Sequence, residues 1–427
     1  MRAVLLAALL ASVALDTGAL AQGAQPAETK SKVDDLEKLQ AFKSTGTSQA
    51  PEIPQTGRRA DAIRKNLAKV TLPDGFKIDL YAVVPDARSI AVGPNAGVLF
   101  VGTRKSKLYT VTDRDKDRVA DEVRVFAPGI EFKMPNGVCF SKDGVLNVVE
   151  QNRVLAFPAA EFFYEGSDVA AAIVVKQGEL IPPAEESFNH TARVCRVGPD
   201  GKPYIALGQP YNVPAPEKLD LYAKTGIGGI IRMDADGKNR EVFATGIRNS
   251  VGIEFAADKS LWFTDNQVDG MGDDKPPGEL NHATKPGENF GFPWYGGGLV
   301  RTVEYKDQTP PAGAVAPVAE LPPHAADLGL TFYNGRQFPK SYRGGLFIAE
   351  HGSWNRTEPV GARIMFAPAG ADGKVGQPKP FAEGWLTGDG EYLGRPVDVA
   401  VLLDGSLLVS DDTAGAIYRI SYEGDSK

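Results

Sequence analysis

Chemistry in this sequence begins with what is scarce. Among 427 residues there are four histidines. No two of them lie three to five residues apart, which argues against a histidine-built metal site. His190 stands in Ser187-Phe-Asn-His-Thr-Ala-Arg193, after the acidic pair Glu185-Glu186 and directly before an apolar, strand-like run. A neutral imidazole there could take the hydroxyl proton of an alcohol while hydride leaves its carbon; a histidine that merely caps a β unit fits the spacing equally well. Thr245-Gly-Ile-Arg-Asn-Ser-Val-Gly252 also precedes such a run, and so does Met134-Pro-Asn-Gly137, so Asn with Gly belongs partly to the architecture. Arg248 has no counterpart in the earlier copy. With Arg395, in Leu393-Gly-Arg-Pro-Val-Asp398, it forms a candidate clamp for an anionic partner, though both also read as solvated charges.

Oxygen ligands are dense in two places. Thr264 to Asn281 mixes carboxylates, amides and glycines, a composition suited to a hard cation such as Ca²⁺ or to a solvated loop. Asp113, Asp115, Asp117 and Asp121 alternate, but Arg118 stands where an EF-hand has glycine and the distal Glu is missing. A structural calcium loop and a charged turn are both compatible with that pattern. Aromatic residues gather at Asn289 to Tyr295 and at Glu350 to Arg356, where rings beside fixed donors suit a sugar or a planar cofactor.

These residues are positioned by a repeat. An apolar strand, a tight Gly/Asn/Asp/Lys turn and a second apolar strand recur at Ala91 to Val101, Val138 to Val149, Val194 to Ile205, Ile253 to Phe263 and Val399 to Val409, with a looser copy at Leu330 to Ile348. Six units of roughly 50 to 80 residues result, each long enough for four short strands. The expected fold is all-β, a six-bladed β-propeller. The long inserts at 158–190, 206–225, 265–300 and 349–397 are expected between blades, at one end of the channel. With 47 glycines and 31 prolines, the chain is rich in turn residues. A net charge of -7 without a basic block excludes a nucleic-acid partner.

Residues 1–21 read as a signal peptide: Arg2, the apolar run Ala3 to Leu15, then Ala19-Leu20-Ala21. Residues 22–71 form a polar extension with short helices, and 72–422 the propeller domain. A periplasmic or secreted protein with no transmembrane segment after cleavage is expected. Cys139 and Cys195 form one disulfide or remain buried thiols. No Cys-x-x-Cys-His occurs, so no haem is covalently attached.

In order and spacing, His190 before Val197-Gly-Pro-Asp-Gly201, Gly246-Ile-Arg-Asn-Ser-Val-Gly252, Gly278-Glu-Leu-Asn281 and Asn289-Phe-Gly-Phe-Pro293 resemble the soluble pyrroloquinoline quinone (PQQ)-dependent glucose/sorbosone dehydrogenases. Leu72 to Ile78, Leu346 to Arg356, Gly394 to Val399 and Val409-Ser-Asp-Asp412 are closer to the L-sorbosone dehydrogenase-like branch. The resemblance implies PQQ across the channel mouth, Ca²⁺ bridging it to protein oxygens, a sugar substrate and a separate electron acceptor. It casts His190 as general base, Arg248 and Asn249 as groups near the quinone oxygens and Arg395 as a cofactor partner. It places the cofactor calcium at the backbone of Gly270, Met271 and Gly272. Two family cations are missing: Val397 stands where a second arginine is found, and a lysine's place falls near His351 and Gly352, which leaves His351 or Arg356 to substitute. The alternatives are a calcium-dependent sugar lactonase and a non-catalytic propeller that binds sugar or protein.

Overall fold

A computed structural model of the chain describes residues 50–370 and 375–424. The signal-like segment 1–21 and the helical pattern from Val33 to Phe42 lie outside the described residues. Every apolar hairpin of the repeat forms the inner two strands of one antiparallel sheet, and six such sheets make a six-bladed β-propeller. Blade 1 is Ile90–Val92, Leu99–Val101, Leu108–Thr112 and Glu122–Phe126; blade 2 is Gly137–Phe140, Leu146–Val149, Val154–Phe157 and Ala172–Val175. Blade 3 comprises Val194–Val197, Pro203–Leu207, Gly229–Arg232 and Glu241–Thr245, with Glu288–Asn289 added in parallel at its outer edge. Blade 4 is Ile253–Phe255, Leu261–Asp265, Gly278–Ala283 and Ala319–Leu321, and blade 5 is Asp327–Phe332, Leu346–Glu350, Arg363–Ala367 and Lys379–Ala382. In blade 6 the strands Pro396–Val401, Leu407–Asp411 and Ala416–Tyr422 are completed by Phe76–Val83, which pairs antiparallel with Ala416–Tyr422 and closes the ring.

Small β-branched and aromatic residues make these strands because they are buried on both faces, between neighbouring blades. Leu407, Val409 and Tyr418 of blade 6 pack with Phe347 and Ile364 of blade 5. Cys139 and Cys195, on the innermost strands of blades 2 and 3, are joined as a disulfide, so the pairing reading holds over the buried-thiol one. Residues 50–71, read from the sequence as part of the polar extension, lie against the propeller. Ile53 and Val125 exchange backbone hydrogen bonds with Val123 and Pro51, and the helix Arg58–Leu67 buries Ala60, Ile63 and Leu67 against blades 5 and 6.

The long inserts do not all join blades. The stretches 208–228, 266–277 and 351–362 connect second to third strands within blades 3, 4 and 5, and only 176–193 and 383–395 run from one blade to the next. Strand alternation brings both kinds of loop to the same end of the channel, so the convergence expected from sequence survives this change of connectivity. The insert 158–171 and the acidic turn Asp113 to Asp121, which join third to fourth strands, lie at the other end.

Candidate active site at the channel mouth

His190 closes the turn into blade 3 in a left-handed conformation (φ 51°). Arg193, itself buried, pins that turn by donating to the carbonyls of His190 (2.9 Å), Gly208 (3.1 Å) and Gln151 (3.2 Å). The imidazole Nδ1 lies 2.6 Å from the carbonyl of Gln209. A carbonyl only accepts, so Nδ1 carries the proton and Nε2 keeps a lone pair with no protein partner among the described residues. Burial, reinforced by the Arg248, Arg193 and Arg104 charges, pushes this imidazole down to about 3. It is therefore neutral across the physiological range.

Gly208 lets His190 meet blade 4. A Cβ there would stand 2.5 Å from Asn249 Oδ1 and 2.8 Å from His190 Cβ, so His190 and Asn249 face one another across a backbone that has room for no side chain. Asp265, at the end of blade 4's second strand, accepts from the backbone N–H groups of Arg248 (2.8 Å) and Asn249 (2.7 Å) and so fixes their turn. Burial raises this carboxyl to about 6.

Arg248 is not the open cation the sequence suggested. It is buried, and its guanidinium donates to Asn212 O (3.0 Å), Asn212 Oδ1 (2.8 Å), Asn266 O (3.3 Å) and Asp269 Oδ2 (2.7 Å). It organises the loop beginning at Asn266 and leaves little donor capacity for a ligand. Asp269 also accepts from Asn355 Nδ2 at 2.8 Å, which ties blade 4's loop to blade 5's. Arg395 in turn holds that second loop, donating to Gly352 O (3.2 Å) and Ser353 O (2.7 Å) with its guanidinium 3.9 Å above the Tyr392 ring. Arg248 and Arg395 thus belong to one connected mouth. His351 bridges Arg395 NH1 (3.3 Å, at Nδ1) and Asp412 Oδ1 (2.9 Å, at Nε2), and Asp412 also pairs with Arg88. Arg356 sits farther out, bonded to Asp273 O and Glu358 O.

Around Gly270, Met271 and Gly272 the backbone is open: a Cβ at either glycine would meet nothing within 4 Å. Gly272 O accepts from His324 Nε2 at 2.9 Å. Asn355 Oδ1 and Gln267 Oε1, beside this loop, are buried acceptors without a donor. Val397 is buried in the apolar lining, so its position contributes no charge.

At the far end, Asp113, Asp115 and Asp117 bring ligand oxygens within 4.8 Å of one another. Asp121, in the same turn, accepts the backbone N–H of Arg114. None of these joins the mouth.

Asn212, Arg88 and Arg104 were not singled out in the sequence, while Asp269, Asn355 and Asp412 lay in segments singled out there without a role of their own. One signal was available: residues immediately after a blade's second strand face the mouth. Arg104, Gln151, Gln209, Gln267, His351 and Asp412 lie one to three residues past the second strands of blades 1 to 6.

The family model described as Glucose / Sorbosone dehydrogenase matches residues 179–353, the stretch that carries His190, Arg248 and the Gly270 loop. An uncharacterized protein of Borreliella burgdorferi is 31% identical over 361 residues, 82% of this chain and 90% of the relative. This chain belongs to the glucose/sorbosone dehydrogenase family. A pyrroloquinoline quinone-dependent pyranose dehydrogenase of Coprinopsis cinerea is 33% identical over 135 residues, 27% of this chain and 18% of that protein. The PQQ domain of a C. cinerea pyranose dehydrogenase superposes with TM-score 0.66 at 19% identity, covering 87% of this chain and 98% of that one. For a PQQ-bound aldose sugar dehydrogenase of Streptomyces coelicolor the TM-score is 0.56 at 19% identity, covering 82% and 99%. At such identities the structural likeness establishes the shared propeller. No helix among the described residues is long and apolar enough to cross a membrane.

Proposed function

We propose that this family member is a PQQ-dependent sugar dehydrogenase, exported to the periplasm or secreted, with His190 as general base. The observation that carries the reading is the neutral His190 imidazole, whose Nδ1 is anchored to Gln209 O and whose Nε2 has no protein partner among the described residues. Such a nitrogen is built to accept a hydroxyl or hydrated-aldehyde proton. PQQ, when bound, supplies the two-electron acceptor for the hydride; the chain holds no haem motif, so a separate acceptor must regenerate it.

The donor set suits an anionic cofactor. Among the described residues, Arg193 and Arg395 have no carboxylate within ion-pair distance and donate to backbone carbonyls instead. Asn249 and Arg395 would hold the cofactor, and His351 would steady Arg395 in place of the family's lysine. The orphaned acceptors Asn355 Oδ1 and Gln267 Oε1, with the Asp269 carboxylate and the backbone of Gly270 to Gly272, form an oxygen set of the kind Ca²⁺ prefers. Arg248 contributes by fixing that loop and by keeping His190 neutral. Substrates in this reading are aldoses or sorbosone-like aldehydes.

Calorimetric titration of the purified protein with PQQ, with and without Ca²⁺, tests the reading. Calcium-dependent binding followed by sugar-dependent reduction of an added dye is expected. No heat and no dye reduction on any aldose would overturn it.

A further inference from the structure

Among the described residues, the mouth holds one guanidinium whose donors are unspent. Arg88 and Arg248 each pair with a carboxylate, Asp412 and Asp269. Arg193 and Arg395 have none, but backbone carbonyls occupy them. Arg104, in the loop after blade 1's second strand, has neither: among the described residues its guanidinium makes no hydrogen bond and no ion pair, and it is only partly covered. It is nevertheless oriented. Its backbone N–H donates to Asp86 Oδ2 at 2.8 Å, and its guanidinium lies 5.8 Å from the centroid of the Phe188 ring.

This loop is stitched to the one that carries the base. Met134 N–H donates to Lys105 O at 2.9 Å, and the Thr191 hydroxyl meets Met134 Sδ at 3.1 Å. Arg104 is close enough to His190 for its charge to act on the imidazole. The nearby acids do not satisfy it, since Asp86 is bonded to the Arg104 backbone and Asp412 to Arg88 and His351. Phe188, two residues before the base, is 78% exposed. An apolar ring open to solvent, a half-buried cation above it and a general base alongside are the parts of a subsite for a flat-faced ring bearing an anion.

We infer that Arg104 and Phe188 bind a carboxylate-bearing sugar, so that the substrate class includes acidic sugars, such as uronates, which place their carboxylate on Arg104 while a hydroxyl or aldehyde carbon faces His190. This inference rests on the dehydrogenase reading for the reaction, but the binding it requires can be measured without turnover.

D-glucuronate and D-glucose differ at C6 in carboxylate against hydroxymethyl, and calorimetric titration of the full-length protein with each, with and without PQQ and Ca²⁺, isolates the charge. Glucuronate is expected to bind more tightly than glucose. Arg104→Ala should weaken glucuronate binding about 10- to 100-fold, the range of a charge-assisted hydrogen bond to an anion, and change glucose affinity by less than about twofold. Arg104→Lys should recover part of the loss. The inference is overturned if the wild-type protein does not discriminate the two sugars, if Arg104→Ala weakens both equally or neither, or if its main effect is on PQQ affinity, which would assign Arg104 to the cofactor. Failure of the dehydrogenase reading shows separately, as a wild-type protein that neither binds PQQ nor oxidises either sugar while Arg104 still selects glucuronate.

Discussion

His190 carries its protonation state in its surroundings. Because burial and three arginines hold its pKa near about 3, the folded protein prefers the neutral ring, whereas the unfolded chain protonates an ordinary histidine below about 6.5. The sign follows: this residue's contribution to stability is full above about pH 6.5 and is lost as pH falls toward 3, by about 1.4 kcal/mol per unit. NMR titration of the ring should accordingly show no midpoint between pH 5 and 8. A midpoint near 6.5 would mean that the ring is not enclosed in this way. His190→Gln should leave PQQ binding nearly intact and lower turnover by about 10² to 10⁴-fold, as loss of a positioned base does; an unchanged rate would remove His190 from the mechanism. This residue was legible because it is rare and precedes a repeated hairpin. Arg248 was legible as unmatched, but its partners Asn212 and Asp269, and Asn355 which donates to Asp269, were not legible as partners, because they arrive from loops whose approach is fixed by blade packing and not by local spacing.

At the level of elements, several blades share one device. A carboxylate at or just past the end of the second strand accepts backbone N–H groups from the turn entering the same blade: Glu150 from Lys133 in blade 2, and Asp265 from Arg248 and Asn249 in blade 4. Asp411 likewise faces the Arg395 backbone in blade 6. Asp265→Ala leaves two buried N–H donors unpaired and should cost about 2 to 4 kcal/mol in urea denaturation. Asp265→Asn, which keeps one acceptor, should cost less. Blade 5 departs from the pattern, because Glu350 meets a second carboxylate, its cross-strand partner Asp327. Both are fully buried, both Asp327 oxygens lack a donor, and only Arg363 answers Glu350. Burial and mutual repulsion push Asp327 well above the usual carboxylate range and burial raises Glu350 as well. A raised carboxyl pKa means stability that is present at acid pH and lost as pH climbs from about 4 through the folded value. Thermal melts of Asp327→Asn should therefore fall less steeply between pH 5 and 9 than those of the parent; parallel curves would show that Asp327 is ionised in the fold. The carboxylates were visible in the sequence, but which of them face one another depends on strand register.

Across the whole molecule, the hairpin repeat announced the ring, since apolar strands covered on both faces leave turns as the main punctuation. It did not announce which inserts lie within blades, because a long loop after a second strand and one after a fourth look alike in sequence. The Cys139–Cys195 bond ties blade 2 to blade 3 across 56 residues. In the chain-entropy account a loop of that size is worth about 4 kcal/mol. The double Ala variant should lose up to that amount in denaturant unfolding without reductant and should match the parent once the parent is reduced. A loss that persists against the reduced parent would point to packing.

The closing strand Phe76–Val83 and its partner Ala416–Tyr422 stand at opposite ends of the described chain, with Val83 and Ala416 themselves in register. During synthesis the first of these emerges early and has nothing to pair with until nearly all the chain is out. A ribosome-bound or stalled product therefore holds up to five blades around an open seam, and the last step of folding is a long-range closure that no local hairpin can anticipate. Removing the final strand should leave two unpaired edges and an aggregating product, not a five-bladed enzyme. The ring cannot lock before its last strand has been made, so the seam stays open until synthesis of the propeller is complete.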